Sequence, residues 1–363
     1  MKLQTLITVF SFLLLFSSSS YGVEKSLKNA QNVYFVSPSG SDMKSGKTAE
    51  NSFKTIQHAL NLAHAGETIV LLKGEYYEDL HSVRSGENGK PIRITGMSGS
   101  ILKGEKNSRI FEINHSYIEL SNFSINGKVG KGDKLKHYRD KLIYIKGLKD
   151  KGVKGVKILG MNLKYAYGEC VRIKYLASYN EIAYTKIGHC GLRDFVFNRG
   201  KNNGESIYIG TAPEQIIEGK NPTKVVDSSH KNWIHHNIIE SYGSECIDVK
   251  EGSHSNLLEY NICTKQKDKN VGGISIRGNK NIIRKNIIFN NDGAGIRLGG
   301  DTKDDGLNNE VYGNYLSNNA QGALKIMSNP RKNSLCGNNI FTINNQKRVR
   351  TKSRIKFIIK ECN

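Results

Sequence analysis

The hexapeptide NLLEYN, residues 256–261, is one of five related stretches whose spacing decides the fold of this chain. Each stretch has asparagine at its first and last positions and an aliphatic residue between them. The set is NWIHHN (232–237), NLLEYN (256–261), NIIRKN (281–286), NEVYGN (309–314) and NSLCGN (333–338), with starts 24, 25, 28 and 24 residues apart. One such unit is too short to bury its own apolar face, so the period indicates a solenoid of stacked units.

A second short strand follows each of the first four stretches, and two earlier segments look alike. These strands are GECVRIK (168–174), GESIYIG (204–210), SECIDVK (244–250), GGISIRG (272–278), GAGIRLGG (293–300) and QGALKIMS (321–328). Two or three short strands per turn of about 25 residues, with asparagine at fixed corners, predict an all-β, right-handed parallel β-helix. Asparagine tolerates the left-handed backbone at such corners, and stacked amides can hydrogen-bond along the axis. A leucine-rich repeat would need a leucine-dominated template and a helix in each repeat, and neither is present.

The two ends of the chain are predicted to differ from the repeats. Lys2, an apolar run and the small residues before Gly22 are typical of a secretory signal peptide, and the apolar run is too short to span a membrane. Phe53, Ile56, Leu60 and Ala63 have helical spacing up to Gly66, which predicts a helix that covers the open end of the solenoid. The predicted organisation is a signal peptide over 1–22 and one domain over 23–363, with a cap at about 33–66, coils at about 67–345 and a basic C-terminal strand or cap at about 346–363.

Charge and cysteine content restrict the partners. The 54 basic and 33 acidic side chains give a net charge of +21, which predicts attraction to polyanions. For an exported chain, secreted or periplasmic, we expect an acidic polysaccharide rather than nucleic acid, and a monomer without a transmembrane segment. Six cysteines permit up to three disulfides, most simply between sequence neighbours, and the lack of a CxxC motif argues against zinc.

Alternation along the second strands separates inward aliphatic residues from outward polar ones. Coils stack at about 4.8 Å, so Lys250 and Arg277 should be outward neighbours on consecutive coils, with Asp248 and Arg297 close by. This predicts a basic face with an embedded carboxylate. The outward positions are Arg172, Tyr208, Asp248, Ser275, Arg297 and Lys325, followed one step later by Lys174, Gly210, Lys250, Arg277, Gly299 and Met327.

A column of glutamates, Glu169, Glu205 and Glu245, precedes these strands. Stacked carboxylates repel each other unless a cation or a basic side chain lies between them. Calcium would suit Glu205 and Glu245 if Asp248 joined them, and the alternative is that each glutamate pairs with a lysine of the basic face. The long insertion at 211–232 is expected to form a wall of a binding cleft.

The start of the domain, YFVSPSGSD followed by SFKTIQHALNLAHAGETIVLLKGEYYE, and the repeats resemble the pectin-lyase-like right-handed β-helix superfamily. Locally, ECIDVKEGSHSNLLEYN, GGISIRGNKNIIRKN and GAGIRLGGD resemble the alginate lyase and chondroitinase-B family. That resemblance implies a lysine base at Lys250, an arginine acid at Arg277 and a calcium-binding glutamate at Glu245. The family's other glutamate falls at Gly243.

The implied reaction is β-elimination in a uronic-acid-containing polysaccharide. Its carboxylate must be neutralised while a base removes the C5 proton. We expect Arg277 and Arg297 to depress the pKa of Lys250 so that it serves as this base, and Arg277 or an adjacent tyrosine to help the glycosidic oxygen leave. Arg297, Tyr208, Arg172, Lys174 and Lys325 are the candidate substrate-binding residues.

Three alternatives remain open at the level of sequence. A C5-epimerase begins with the same proton abstraction but returns a proton instead of expelling a leaving group. A non-catalytic solenoid could bind polyanions through the same basic face. A glycoside hydrolase would need two carboxylates facing each other across a cleft, for which Glu205, Glu245 and Asp248 are the candidates.

Overall fold

The computed structural model describes residues 32–200, 203–327, 332–341 and 349–351. Within these residues the chain forms three long sheets of eleven, ten and ten strands, and every pairing between their strands is parallel. The chain visits sheets 1, 2 and 3 in turn and then begins the next coil. This is a parallel β-helix, as predicted.

The strands are short, three residues in most coils. Sheet 1 contains Val33–Val36, Thr68–Leu71, Ile92–Gly96, Ile118–Ser121, Lys157–Leu159, Glu181–Ala183, Trp233–His235, Leu257–Glu259, Ile282–Arg284, Glu310–Tyr312 and Ser334–Cys336. Sheet 2 contains Gly74–Tyr76, Ser100–Leu102, Ser124–Asn126, Asn162–Lys164, Lys186–Gly188, Ile238–Glu240, Ile262–Thr264, Ile287–Phe289, Tyr315–Ser317 and Asn339–Phe341. Sheet 3 contains Leu80–His81, Arg109–Ile113, Lys141–Lys146, Val171–Lys174, Ile207–Ile209, Ile247–Val249, Gly272–Ile276, Ala294–Leu298, Leu324–Ile326 and Val349–Thr351. A small two-stranded sheet pairs Val153–Lys154 with Ala177–Ser178.

Helices are few in the described part of the chain. They are the α-helices Ile56–Leu62, Leu192–Phe195 and Pro213–Ile217 and the 3₁₀ helix Leu135–His137. The first of these begins at the cap residue Thr55, whose hydroxyl accepts a hydrogen bond from the His58 amide, and it ends at Leu62, four residues before the predicted stop at Gly66. Its role as an end cap stays a prediction. The predicted signal peptide and most of the basic C-terminal segment lie outside the described residues.

One aliphatic ladder of sheet 3 fills the core, in the register that the alternation predicted. Ile207 pairs with Ile247, and the ladder continues through Ile274 and Ile296 to Leu324, each at most 1% exposed. Burying aliphatic side chains of this kind contributes about 1.5–3 kcal/mol each. Because the side-chain period of a strand is two, this register also fixes which residues point outward.

The asparagine repeats form buried hydrogen-bonded ladders. The side-chain amide of Asn237 donates to the amide oxygen of Asn261 at 2.9 Å, and Asn261 donates to Asn286 at 3.0 Å. The predicted stacking is therefore confirmed, but the left-handed backbone lies elsewhere. The residue before each of these asparagines adopts it, as at His236 and Tyr260, both with φ of 54°. The preceding residue makes the turn, which leaves the asparagine side chain directed inward along the axis.

Between cysteines that both lie in the described residues, two disulfides link consecutive coils inside the core. Cys170 is bonded to Cys190 and Cys246 to Cys263, the pairing of sequence neighbours that the sequence favoured. All four cysteines are fully buried. Cys246 immediately follows Glu245, so the second disulfide tethers the start of the strand that presents the outward acidic and basic residues to the coil above it.

Candidate active site on the third sheet

The outward face of sheet 3 brings the predicted polar residues together in register. Arg172 pairs with Tyr208, Tyr208 with Asp248, Asp248 with Ser275, and Ser275 with Arg297. Lys325 continues the same row beside Arg297. The predicted register of these outward residues is therefore confirmed.

Three carboxylates meet at the centre of this face. One oxygen from each of Glu205, Glu245 and Asp248 lies within 4.8 Å of the others, and all three side chains are buried. Among the described residues, Glu245 Oε1 and Asp248 Oδ1 are buried without a hydrogen-bond partner. Buried acceptors without partners are costly, so the cluster has unused capacity for a ligand.

The protonation of this cluster reflects its crowding. Burial and repulsion from Glu245 raise the pKa of Glu205 to about 8. Burial and the Asp248 charge also raise the pKa of Glu245. The pKa of Asp248 is lowered, because the attraction of Lys250 and Arg277 outweighs the effect of burial. Three oxygen donors with excess negative charge fit a hard divalent cation such as calcium.

Gly243 explains why the cluster differs from the pattern of the family that it resembles. A side chain at this position would place Cβ 2.3 Å from the carbonyl oxygen of Gly204 and 2.4 Å from that of Cys190. No glutamate can stand there without moving the backbone. Glu205 and Asp248 supply the additional carboxylates from neighbouring positions on the face.

Glu169, the first member of the predicted glutamate column, does not join the cluster. It lies 2.6 Å from Arg172 and 2.8 Å from Lys141. These cations hold its pKa at about 2 in spite of its burial. The alternative in which a glutamate pairs with basic side chains therefore holds for Glu169.

Lys250 lies at the edge of the acid cluster. Its Nζ is 2.7 Å from Asp248 Oδ2 and 4.6 Å from the centre of the Tyr208 ring. Burial and Arg277 lower the pKa of Lys250, but Asp248, Tyr208 and Glu205 together raise it by more, so the net pKa is above its ordinary value. The prediction of a depressed pKa was wrong: Arg277 acts in the predicted direction, but the carboxylate of Asp248, two residues earlier on the same strand, opposes it.

The aromatic ring of Tyr208 lies close to two cations. The guanidinium of Arg172 is 3.4 Å from the centre of its ring, on which Lys250 also lies. Its hydroxyl is buried without a hydrogen-bond partner among the described residues. Burial raises the pKa of Tyr208 to about 12, so the hydroxyl keeps its proton at neutral pH.

Arg277 and Arg297 form the basic side of the face. Arg277 approaches Asp248 and Glu251 at 3.6 Å and Asp301 at 3.7 Å, which is longer than a hydrogen bond. The Nε atoms of both arginines are buried without a hydrogen-bond partner in the described structure. Burial and the Arg277 charge lower the pKa of Arg297. The two guanidiniums can therefore accept a further anion.

The remaining candidate substrate-binding residues are engaged by the protein itself. Arg172 donates to the Gln215 side chain at 2.8 Å, and Lys174 donates to the Lys220 carbonyl oxygen at 3.1 Å. Both partners belong to the predicted cleft wall, whose Asp227 anchors it to the coil below through the Tyr175 amide at 2.6 Å. Burial lowers the pKa of Lys174 to about 7.

Lys325 donates to the carbonyl oxygen of Asn270 at 2.6 Å. For Arg172, Lys174 and Lys325 a role in substrate binding stays a prediction.

Two residues of this site were missed in the sequence. Gln215 lies in the insertion, where the repeat offers no register. Glu251 follows Lys250 directly, and both of its carboxylate oxygens are buried without a hydrogen-bond partner among the described residues. The sequence feature that could have identified Glu251 is its position directly after the strand that carries the outward residues Asp248 and Lys250.

The fold and this face define a parallel β-helix with a buried acid cluster beside one lysine and two arginines. Its structure is similar to that of an alginate lyase from Paenibacillus sp. str. FPU-7, with a TM-score of 0.63 and 20% sequence identity, covering 82% of this chain and 94% of that one. It is also similar to pectate lyase Pel9A, with a TM-score of 0.52 and 12% identity, covering 90% and 79%.

A GH136 lacto-N-biosidase from Eubacterium ramulus has a TM-score of 0.61 and 12% identity, covering 91% of this chain and 66% of that one. At sequence identities of 12–20%, these structural similarities establish the fold alone.

Comparison of sequences matches a much smaller part of the chain than comparison of structures. The uncharacterized protein YwoF of Bacillus subtilis (strain 168) is 40% identical over 73 residues, which cover 20% of this chain and 15% of that protein. No protein-family model matches the chain. In the described residues, no helix has the length and apolar character needed to cross a membrane.

Proposed function

We propose that this protein is a polysaccharide lyase that cleaves a uronic-acid-containing polysaccharide by β-elimination. The observation that supports this most strongly is the juxtaposition of Lys250 and Tyr208, 4.6 Å from Nζ to the ring centre, between an acid cluster and two arginines. This face offers a base, a proton donor and positive charge for a carboxylate within a few coils. We further propose that the protein acts outside the cytoplasm, where such polymers occur.

The first task is neutralisation of the substrate carboxylate. The unpartnered Nε atoms of Arg277 and Arg297 are suited to a planar carboxylate. Glu205, Glu245 and Asp248 would hold calcium, which when bound supplies further positive charge beside the substrate carboxylate and offsets the charge of Asp248. Electrostatic stabilisation of the enolate that develops at C5 and C6 would make the larger contribution to lowering the activation barrier.

Lys250 is the proposed base and Tyr208 the proposed acid. Lys250 is protonated while it is paired with Asp248, so it must lose its proton before each turnover. Compensation of the Asp248 charge would weaken its attraction for the ammonium group and favour loss of that proton to solvent. Lys250 then takes the C5 proton, and the Tyr208 hydroxyl, which keeps its proton to about pH 12, protonates the departing glycosidic oxygen.

The acid cluster is less suited to glycoside hydrolysis. Hydrolases place two carboxyl groups on opposite sides of the scissile bond, about 5–9.5 Å apart. Here the three carboxylates meet within 4.8 Å on adjacent coils of one sheet, which is the arrangement of a cation site.

The test is the appearance of unsaturated uronate, which absorbs in the ultraviolet, from alginate, polygalacturonate, chondroitin sulfate and heparin. Each polymer is incubated with the protein in calcium and in chelator. We expect one polymer to give product, with the rate reduced by chelator. No product from any polymer, together with an unchanged chain length, would contradict a lyase, and a change in uronate stereochemistry without cleavage would indicate an epimerase.

A further inference from the structure

The turns that lead from sheet 3 of one coil to sheet 1 of the next, which we call the 3–1 corner, contain two cavities away from the acid cluster. The larger is an open groove of about 680 Å³ in the N-terminal coils, lined by residues that include Arg93, Tyr117, Lys154 and Tyr179. The smaller, of about 330 Å³, lies beside Glu251 and His254. Ligand sites commonly have volumes of about 300–1,000 Å³.

Two tyrosines of the groove are presented outward by the backbone. Tyr117 and Tyr179 both have left-handed backbone angles, with φ of 56° and 55°. Gly155 allows the Tyr117 ring to lie against the backbone, because a Cβ at this position would be 2.6 Å from the ring. Tyr179 is 53% exposed. A tyrosine that is held in place and left exposed offers a flat apolar face together with a hydroxyl, which suits a sugar ring.

Cationic side chains accompany these rings. Three basic residues and two acidic residues line the groove, and the basic residue Lys157 is paired with Glu181 at 2.9 Å. Arg93 faces Glu119 at 3.6 Å, whereas Lys154 has no carboxylate within ion-pair distance among the described residues and lies 5.9 Å from the Tyr117 ring centre. Lys231 Nζ is 3.1 Å from the Tyr179 hydroxyl on the next coil. The groove is therefore suited to an anionic ligand.

A column of rings connects the groove with the candidate active site. Tyr179 contacts His230 edge-on at 5.7 Å, and His230 stacks on His254 at 5.0 Å with an angle of 7° between the rings. His254 lines the smaller cavity together with Glu251, whose carboxylate is 3.6 Å from Arg277. From Tyr117 to His254 the corner spans four coil steps, roughly 19 Å.

We propose that the 3–1 corner is a second binding site for an acidic polysaccharide, with Tyr117 and Tyr179 as stacking platforms and Lys154 as a carboxylate contact. The class of ligand rests on the proposed function, but the site is separate from the residues of the reaction. It holds a length of polymer along the helix axis and thereby keeps the chain near the sheet 3 face.

The experiment is affinity electrophoresis of the full chain through gels that contain the polymer, in a Lys250→Ala background that leaves the polymer intact. Tyr179→Ala, Lys154→Glu and the double variant Tyr117→Ala/Tyr179→Ala are compared with Tyr184→Ala/Tyr260→Ala. The control pair removes two tyrosines that are 46% and 40% exposed at a different corner. We expect the double variant to weaken binding about tenfold, which corresponds to about 1.4 kcal/mol, and the control to leave it unchanged.

With Lys250 intact, the corner variants should cleave short oligosaccharides at the parental rate and show a raised KM on long polymer. Melting temperatures within a few degrees of the parent establish that the variants are folded, and Tyr179→Ala is the safer variant because its ring is exposed. Parental binding by the folded variants overturns the inference while leaving the lyase proposal intact. Loss of binding without any cleavage by the parent supports the second site and refutes the lyase.

Equal retardation by a neutral polysaccharide, or stronger retention by single-stranded DNA, overturns the assignment of the ligand.

Discussion

Lys250 Nζ lies 2.7 Å from Asp248 Oδ2, and the two residues project from the same strand, two positions apart. This ion pair helps to keep the proposed base protonated in the resting protein, because Asp248, together with Tyr208 and Glu205, raises the pKa of Lys250 above its ordinary value in spite of burial. The pair therefore links the state of the acid cluster to the availability of the base.

Replacing Lys250 tests the base directly. We expect Lys250→Ala and Lys250→Arg each to reduce cleavage by about 10²–10⁴-fold, the contribution of a positioned general base. Lys250→Arg retains the positive charge beside Asp248, so it separates proton transfer from charge. The measurement is the rate of product absorbance, with Lys285→Ala, an exposed corner lysine that bonds Tyr260, as a matched control. Parental activity in Lys250→Arg would rule out this lysine as the base.

Tyr208→Phe tests the proton donor. The variant removes only the hydroxyl, which has no hydrogen-bond partner among the described residues, and it keeps the ring on which Arg172 lies. We therefore expect stability within about 0.5 kcal/mol of the parent and a fall in kcat of about 10²-fold or more. Cleavage by Tyr208→Phe at the parental rate would show that this hydroxyl is not the acid and would leave Arg277 as the candidate.

The acid cluster should make both calcium affinity and stability depend on pH. The pKa of Glu205 is about 8 in the folded protein and its ordinary value is 4.5. Between these values the folded state binds more protons than the unfolded state, so the stability of the calcium-free protein should fall as pH rises from about 5 to 8. Calcium affinity should rise over the same window, because the metal competes with the proton.

Urea denaturation at several pH values, in calcium and in chelator, measures the pH dependence of stability. Calorimetric titration measures the pH dependence of calcium affinity. Glu205→Gln should remove much of the pH dependence and weaken calcium binding. Glu169→Gln is an informative comparison, because Glu169 is already paired with Arg172 and its pKa is held at about 2. An identical pH slope in Glu205→Gln and in the parent would contradict the assignment of this titration.

The asparagine ladders should be a major source of local stability. Asn261→Ala removes a buried amide that bonds Asn237 on the preceding coil and Asn286 on the following coil, and it leaves their partner atoms unsatisfied. We expect a loss of about 1–3 kcal/mol in the free energy of unfolding, measured by urea denaturation. Asn107→Ala, at an exposed site, is the matched control. A loss below about 0.5 kcal/mol for Asn261→Ala would show that water replaces the amide at little cost.

Much of the fold could be predicted from the chain, because the regularity of the coils converts sequence spacing into position. The repeats that begin at Asn232 and Asn256 differ by one coil, so their amides had to stack. The alternation in Ile247, Asp248 and Val249 likewise placed the acid outward. The left-handed corner was assigned to the asparagine instead of the residue before it, since both positions repeat with the same period.

The sequence by itself thus determined the solenoid, its register and the set of side chains on the outer face of sheet 3, since all three follow from local periodicity. Only the tertiary structure decided how those side chains share charge. Glu169 is neutralised by Arg172, whereas Glu205 and Glu245 crowd against Asp248, although the glutamates occupy equivalent positions in the repeat. The physical reason is that electrostatic pairing depends on rotamers, burial and the insertion that carries Gln215, none of which is periodic.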